Sequence, residues 1–221
     1  MKKVITKDGS ITYYNEEFNE CYHAKSGAIE EALEKYVKPS KIIEIVKRKK
    51  EVVIFDICFG LGYNTLIALH EILKVNSDCE IKVIAFENDE KILKEILKID
   101  LEFKEYDIIK RSISNLIQNN QPRTTSKNVT IEFHIGDAVK EIKKIKDKAD
   151  VVFFDSFSIK KCPQLWTADF FKDIITKMNK GARLTNFTCS RVARLEMEKA
   201  GFKIIDGPYI GRNAPSTIAI K

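Results

Sequence analysis

Long apolar runs are missing from this chain. No stretch of about 18 consecutive apolar residues occurs in its 221 residues, so no membrane-spanning helix is expected. Met1-Lys2-Lys3 leads into only Val4-Ile5-Thr6, too short an apolar segment for a secretory leader. Cysteine is sparse and unpaired in pattern: Cys21, Cys58, Cys79, Cys162 and Cys189 make an odd set of five with no CxxC. Zinc sites and a disulfide framework are both disfavoured, and a reducing, cytoplasmic setting is expected. Histidine is scarcer still. His23 and His70 lack metal-ligand spacing, and His134, beside an apolar strand residue, reads as structural, so no metal is expected. No internal repeat is visible.

What is present is a chain with 44% hydrophobic residues, enough for one domain with a sizeable core. Lys and Arg total 38 against 32 Asp and Glu, a net charge of +6. Local basic clusters occur at 47–50 (KRKK), 140–148 (KEIKKIKDK) and 191–194 (RVAR). The excess suits a polyanionic partner without requiring one, since a lysine-rich solvated surface has the same composition.

Residues 4–14 read as a hairpin turning at Asp8-Gly9. Residues 27–37 have helical spacing and are expected to stop before Pro39, and 41–48 read as another amphipathic helix. From residue 51 the pattern changes to strands apolar on both faces alternating with helices. EVVIFDI (51–57), IKVIAFE (81–87), VTIEFHIGDA (129–138), VVFFD (151–155) and ARLTNFTC (182–189) are the strands. Such runs suit central parallel strands covered by helices. The last two strands, KIIDGPYI and STIAIK, are joined by only GRNAP and must pair antiparallel, because a parallel crossover needs a dozen or more residues. Residues 105–128 are polar and read as a loop-like insertion beside the site. The expected fold is α/β: a Rossmann-like, mostly parallel seven-stranded sheet with an antiparallel C-terminal strand, the outline of a class I methyltransferase. Residues 1–40 would form a hairpin-and-helix extension and 41–221 the main domain.

Ligands on such sheets bind at the carboxyl ends of the strands, and acids or glycines stand at each end. Gly60 and Gly62, in DICFGLGYN, allow a sharp turn and close approach of a ligand. Glu87 ends the second strand, placed to accept from both ribose hydroxyls of an adenosine. Asp137, followed by the small Ala138, could accept from the exocyclic amine of adenine. A dinucleotide fingerprint would want a third glycine where Thr65 stands, so a nicotinamide cofactor is the weaker choice. The three features together suggest an S-adenosylmethionine-type nucleoside site. Asp155, ending the fourth strand, would face the transferring carbon, first as an orienting acceptor for an amine and second as a general base. Phe157 and Trp166 could wall a flat base, and Lys160 and Lys161 could meet phosphates. The competing readings are a capping role for Asp155 and a core role for Trp166.

YHAKSGAIEEA (22–32), DICFGLGYN (56–64), FEND (86–89), GDA (136–138) and FDSFSIKKCPQLWTADFF (154–171) resemble the MnmC-type tRNA methyltransferases over nearly the whole chain, through AGF (200–202) and GR (211–212). The resemblance implies methylation of the 5-aminomethyl group on the wobble uridine in the anticodon region of tRNA, with S-adenosyl-L-methionine as cofactor and neither metal nor FAD. The chain is too short for the FAD-dependent oxidase of the bifunctional members, and a stand-alone enzyme, in the simplest case a monomer, is expected. Tyr22, Gly27, Phe59, Gly60, Gly62, Asn64, Glu87, Asp137 and Ala138 would bind cofactor, Asp155 would be catalytic, and Phe157, Lys160, Lys161, Trp166 and Arg212 would meet substrate. Cys58 stands where many methyltransferases carry glycine, Ala24 where the family favours serine, and Asp155-Ser156-Phe157 where Asp-Pro-Phe or Asp-Gly-Phe is frequent. The rival readings are an aminopropyltransferase of the spermidine synthase type, a methyltransferase of another amine, an NAD oxidoreductase and a non-catalytic RNA-binding module.

Overall fold

The computed structural model describes residues 1–210 and 213–221. Arg212 and Gly211 lie outside the described residues. A small antiparallel sheet comes first: β1 (Lys2–Ile5), β2 (Ile11–Asn15) and β3 (Glu20–Cys21), in that order. The expected hairpin is there, and its connection runs from Thr6 to Ser10, with Gly9 at φ +83°. Asp8 binds this loop together by accepting from Thr6 Oγ1 and Ser10 N, at 2.6 and 3.0 Å.

The next helix does not stop before Pro39. It begins as α1 (Ala28–Glu31), widens into a π-helical stretch (Ala32–Val37) and closes as α2 (Lys38–Ser40). Proline inside a regular helix collides with the carbonyl four residues back. Here Pro39 enters in the first turn of α2, directly after the widened stretch, and the chain breaks only at Lys41, at φ +61°. A short α3 (Ile42–Val46) follows. Tyr36, Val37 and Ile42 share one core with Val52, Ile54 and Phe153 of the main sheet, so residues 1–40 are joined to it by packing.

The main sheet has the order β10-β11-β9-β8-β4-β5-β7-β6. Its parallel centre is β4 (Glu51–Ile57), β5 (Glu80–Glu87), β7 (Val129–Ile135), β8 (Ala149–Phe154) and β9 (Met178–Asn186). β10 (Lys203–Asp206) and β11 (Thr217–Ile220) pair antiparallel, as their short connection demands. Helices α4 (Tyr63–Val75), α5 (Glu90–Ile96), α7 (Ala138–Lys144), α8 (Ala168–Thr176) and α9 (Arg191–Lys199) join and cover the strands. No helix among the described residues is long and apolar enough to cross a membrane.

Among the described residues this sheet has eight strands, not the expected seven, and the segment read as a loop is the reason. Residues 104–119 form α6 (Lys104–Asn119), and β6 (Arg123–Ser126) adds an antiparallel edge strand to β7. The helix buries Tyr106, Ile109 and Ile113, spaced three and four apart, and turns its polar face outward. Its polar composition conceals a narrow apolar stripe.

Candidate active site

The strand ends open into one cavity of about 640 Å³, within the range of small-molecule sites. At its centre the chain leaves β4 through a tight turn. The amides of Cys58 and Phe59 both donate to the carbonyl of Phe86, at 3.0 and 2.9 Å, which folds the turn over the end of β5. Gly62 sits at φ +76°, and a Cβ there would lie 2.7 Å from the Phe59 ring, so only glycine fits. Gly60 takes φ +55° and lets the Tyr22 ring approach its face. Cys58 takes φ +66°, the left-handed region that favours glycine, which accounts physically for the glycine common at this position.

Glu87 is buried at the cavity wall. Its carboxylate accepts from the amides of Gly60 at 2.7 Å, Asn88 at 2.8 Å and Asp89 at 2.9 Å. Burial raises its pKa, and the three amides pull the other way. Asp137 caps α7 by accepting from Val139 N at 3.0 Å, and with Gly136 and Ala138 it lines the cavity.

Asp155 lies at the far side, after β8. Its amide donates to Ile57 O at 3.1 Å, fixing it beside β4. One carboxylate oxygen accepts from the Tyr36 hydroxyl, the other from Asn64 Nδ2 at 2.9 Å. Burial first, then the charge of Glu31, raises its pKa to about 7 against the pull of those two donors and of Lys35. Glu31 and Lys35, an ion pair at 2.7 Å, line the same end of the cavity. Behind them Asp56 is wholly buried and accepts from Thr65 Oγ1 at 2.7 Å, and burial lifts its pKa to about 8. The residue that spoils a dinucleotide fingerprint is thus the partner of a buried acid.

The roof is aromatic. Phe157 stacks on Phe18, with centroids 4.5 Å apart, and leans on Tyr22 at 5.1 Å. Glu20 of β3 clamps the turn after β8 by accepting from Ser158 Oγ at 2.7 Å and Ser158 N at 3.3 Å. Tyr22 donates to Asp89 and accepts from Asn15, each at 3.1 Å.

Of the residues singled out in the sequence, Tyr22, Gly60, Glu87, Asp137, Ala138, Asp155 and Phe157 come together on the cavity wall. Others are placed differently. Gly27 faces Asp8: a Cβ there would lie 2.2 Å from the Asp8 carboxylate, so it serves the hairpin loop. Phe59 is buried edge-on against Phe133 at 5.1 Å and supports the turn from beneath, with Gly62 beside it. Asn64 holds Asp155 instead of lining the cavity. Trp166 does not wall a base. It is 2% exposed, packs against Phe154 and Phe171, and donates to Phe157 O at 3.0 Å. Lys160 and Lys161 are exposed and outside the cavity wall. Sequence reasoning misses Glu31, Lys35 and Tyr36. Glu31 and Lys35 stand four apart in EEALEKY, a spacing that surface ion pairs share, and nothing local says that this pair is buried. Among the described residues no group of three or more His, Cys, Asp or Glu side chains could hold a metal ion.

The cavity therefore has one end lined by the acids Glu87 and Asp137 and a second, buried polar end under an aromatic roof. Residues 100–221 match the family described as S-adenosyl-L-methionine-dependent methyltransferase. The crystal structure of MNMC2 from Aquifex aeolicus is 33% identical, with a TM-score of 0.82, over 99% of this chain and 69% of that one. The chain belongs to this methyltransferase family. An uncharacterized protein of Methanocaldococcus jannaschii is 34% identical over 99% of this chain and 59% of its own length. The tRNA 5-methylaminomethyl-2-thiouridine biosynthesis bifunctional protein MnmC of Leptospira interrogans is 24% identical over 95% of this chain. This chain spans only 34% of that relative's length. The fold is that of a class I S-adenosylmethionine-dependent methyltransferase, and the cofactor is S-adenosyl-L-methionine. The residues fit it: the cavity has the volume, and its carboxylates stand at successive strand ends where a nucleoside offers hydroxyl and amine donors.

Proposed function

We propose that the enzyme methylates the primary amine of a 5-aminomethyl group on the wobble uridine of tRNA, giving 5-methylaminomethyl(-2-thio)uridine. The observation that carries this reading is Asp155, held by Tyr36 and Asn64 on the cavity wall beside the stacked rings of Phe157 and Phe18. An acceptor next to an aromatic wall suits an amine carried on a flat base. The name of the MnmC relative, which specifies tRNA 5-methylaminomethyl-2-thiouridine biosynthesis, supports the same acceptor.

Bound S-adenosylmethionine supplies an electrophilic methyl group. The protein's task is alignment, because in-line displacement depends on holding nucleophile and methyl carbon in register. With each oxygen of Asp155 fixed by one donor, its remaining acceptor positions can take an N–H of the neutral amine and aim its lone pair. A carboxylate beside an amine also stabilises the ammonium form, which cannot attack. The raised pKa of Asp155 eases that conflict: at neutral pH it can take up the proton that the amine must lose. Glu87 and Asp137 would hold ribose and adenine, and Gly60 leaves room at the turn. The exposed Lys160 and Lys161 would meet phosphates, and the wobble base would be splayed from its stack to enter.

The test is transfer of labelled methyl from S-adenosylmethionine to tRNA bearing 5-aminomethyluridine, wild type beside Asp155→Ala, with digested nucleosides identified by mass. Label in 5-methylaminomethyluridine, lost in the variant, is the expected result. No label on this tRNA from a protein that binds the cofactor would overturn the acceptor.

A further inference from the structure

Two charged side chains of the cavity wall have no task in the chemistry above. The Glu31 and Lys35 side chains are 11% and 7% exposed. A buried ion pair of this kind is seldom a stabilising device, since apolar replacements often do as well. Glu31 accepts from Lys35 on one oxygen and from Ala24 N, at 2.8 Å, on the other. Among the described contacts Glu31 is the sole partner of Lys35 Nζ, so two ammonium N–H groups remain to be satisfied, and each Glu31 oxygen keeps an acceptor position.

Their place along the cavity narrows what they could bind. Strand order β7-β5-β4-β8 sets out Asp137, Glu87, the Gly60 turn and Asp155 in a row. Three strand spacings, roughly 14 Å, separate the first from the last. With adenine and ribose at the first two positions, the amino-acid end of the cofactor would fall in the region of β4 and β8. Above that region runs the helix 28–40, packed against α4 and β9, and it is this helix that carries Glu31 and Lys35.

We propose that Glu31 and Lys35 bind the α-amino acid end of S-adenosylmethionine, Lys35 its carboxylate and Glu31 its ammonium group. A side-by-side anion and cation match a zwitterion, and neither charge is then left unanswered. A decarboxylated cofactor would leave the Lys35 donors unsatisfied in a buried place, so the pair also selects against aminopropyl transfer. The inference rests on the nucleoside lying at Glu87 and Asp137 and is independent of the tRNA acceptor.

Calorimetric titration with four ligands tests it: S-adenosylmethionine, S-adenosylhomocysteine, decarboxylated S-adenosylmethionine and 5′-methylthioadenosine. Wild type should prefer the first two to the decarboxylated cofactor by about tenfold or more. Lys35→Met should weaken both carboxylate-bearing ligands by about the same factor and leave 5′-methylthioadenosine unchanged. Lys35→Arg should recover part of the loss. The neutral pair Glu31→Gln/Lys35→Met, which leaves no lone buried charge, should weaken both carboxylate-bearing ligands at least as much as Lys35→Met, weaken the decarboxylated cofactor as well through the lost ammonium partner, and leave 5′-methylthioadenosine unchanged. Equal weakening of all four ligands would mark the pair as structural and overturn the proposal, as would unchanged binding of S-adenosylmethionine. Failure of 5′-methylthioadenosine to bind wild type would instead overturn the nucleoside placement beneath it.

Discussion

The two ends of the cavity are built from the same raw material, carboxylates at strand ends, but are held in opposite ways. At the Glu87 end the acids grip backbone. Glu87 takes the amides of the next two residues and of Gly60, and Asp137 takes the amide two residues on. At the other end Asp155 is gripped by side chains distant in sequence, Tyr36 at a separation of 119 residues and Asn64 at 91. The first end is part of the fold's own hydrogen bonding, whose three amides offset part of the cost of burying Glu87. The second is a buried acid whose charge the fold tolerates, the usual condition of a site organised for chemistry.

Substitution at the two acids should separate these roles, with the largest effect at Asp155. Asp155→Asn should lower methyl transfer at least a hundredfold in single-turnover assays, on the order of what a positioned acid-base group supplies, while cofactor affinity stays near that of wild type. The same variant should melt higher than wild type at alkaline pH. The sign follows from the raised pKa: an acid shifted from 3.8 to about 7 on folding contributes stability that is full below pH 3.8 and is lost as pH rises through 7. The gap in Tm between the Asp155→Asn variant and wild type should therefore open between those values and flatten above them. A gap of constant size across that window would show that Asp155 is not held against its charge.

At the other end Glu87→Gln should do the reverse. Cofactor affinity should fall by about 10- to 100-fold, the value of a charge-assisted hydrogen bond or two, and Tm should fall with it. One oxygen becomes an amide that cannot accept from Gly60, Asn88 or Asp89. Affinity lost without stability, seen by calorimetry and thermal melts on one preparation, would break the contrast between the two ends.

Tyr36→Phe should be milder. It removes one donor from Asp155, so kcat should fall about tenfold with cofactor affinity unchanged. Losing a group that favours the ionised acid should also move the acidic limb of the pH profile of kcat upward. A profile unmoved by this change would remove Tyr36 from the machinery. The smallest effect is expected at the turn between the two ends. Cys58→Gly relieves a left-handed side-chain residue at a cost in chain entropy, so stability should change by no more than about 1 kcal/mol, measured as a small rise in the urea midpoint.

The asymmetry explains what could be read from the chain. The alternation of strands and helices, the antiparallel closing pair and the acids Glu87, Asp137 and Asp155 are local patterns, and they stand in the structure where their periodicity puts them. Segment 105–128 defeats such a reading because α6 shows the core only a stripe and β6 is an edge strand with polar side chains on view. Trp166 illustrates the opposite error: an aromatic near a site motif suggests a wall, yet it packs beneath the turn and holds Phe157 by its carbonyl. Pro39 signals a stop, and the π-helical stretch before it carries the helix through.

By itself the sequence determined the parallel centre of the sheet and the acids at its carboxyl ends, because strand periodicity and the bonds from an acid to amides one or two residues away are set within a few residues of chain. Only the tertiary structure decided what surrounds Asp155. Glu31, Lys35 and Tyr36 reach it from a helix more than a hundred residues earlier, through a π-helical widening and packing on α4 and β9. Burial and charge at a point depend on everything folded against it, and no local pattern carries that sum.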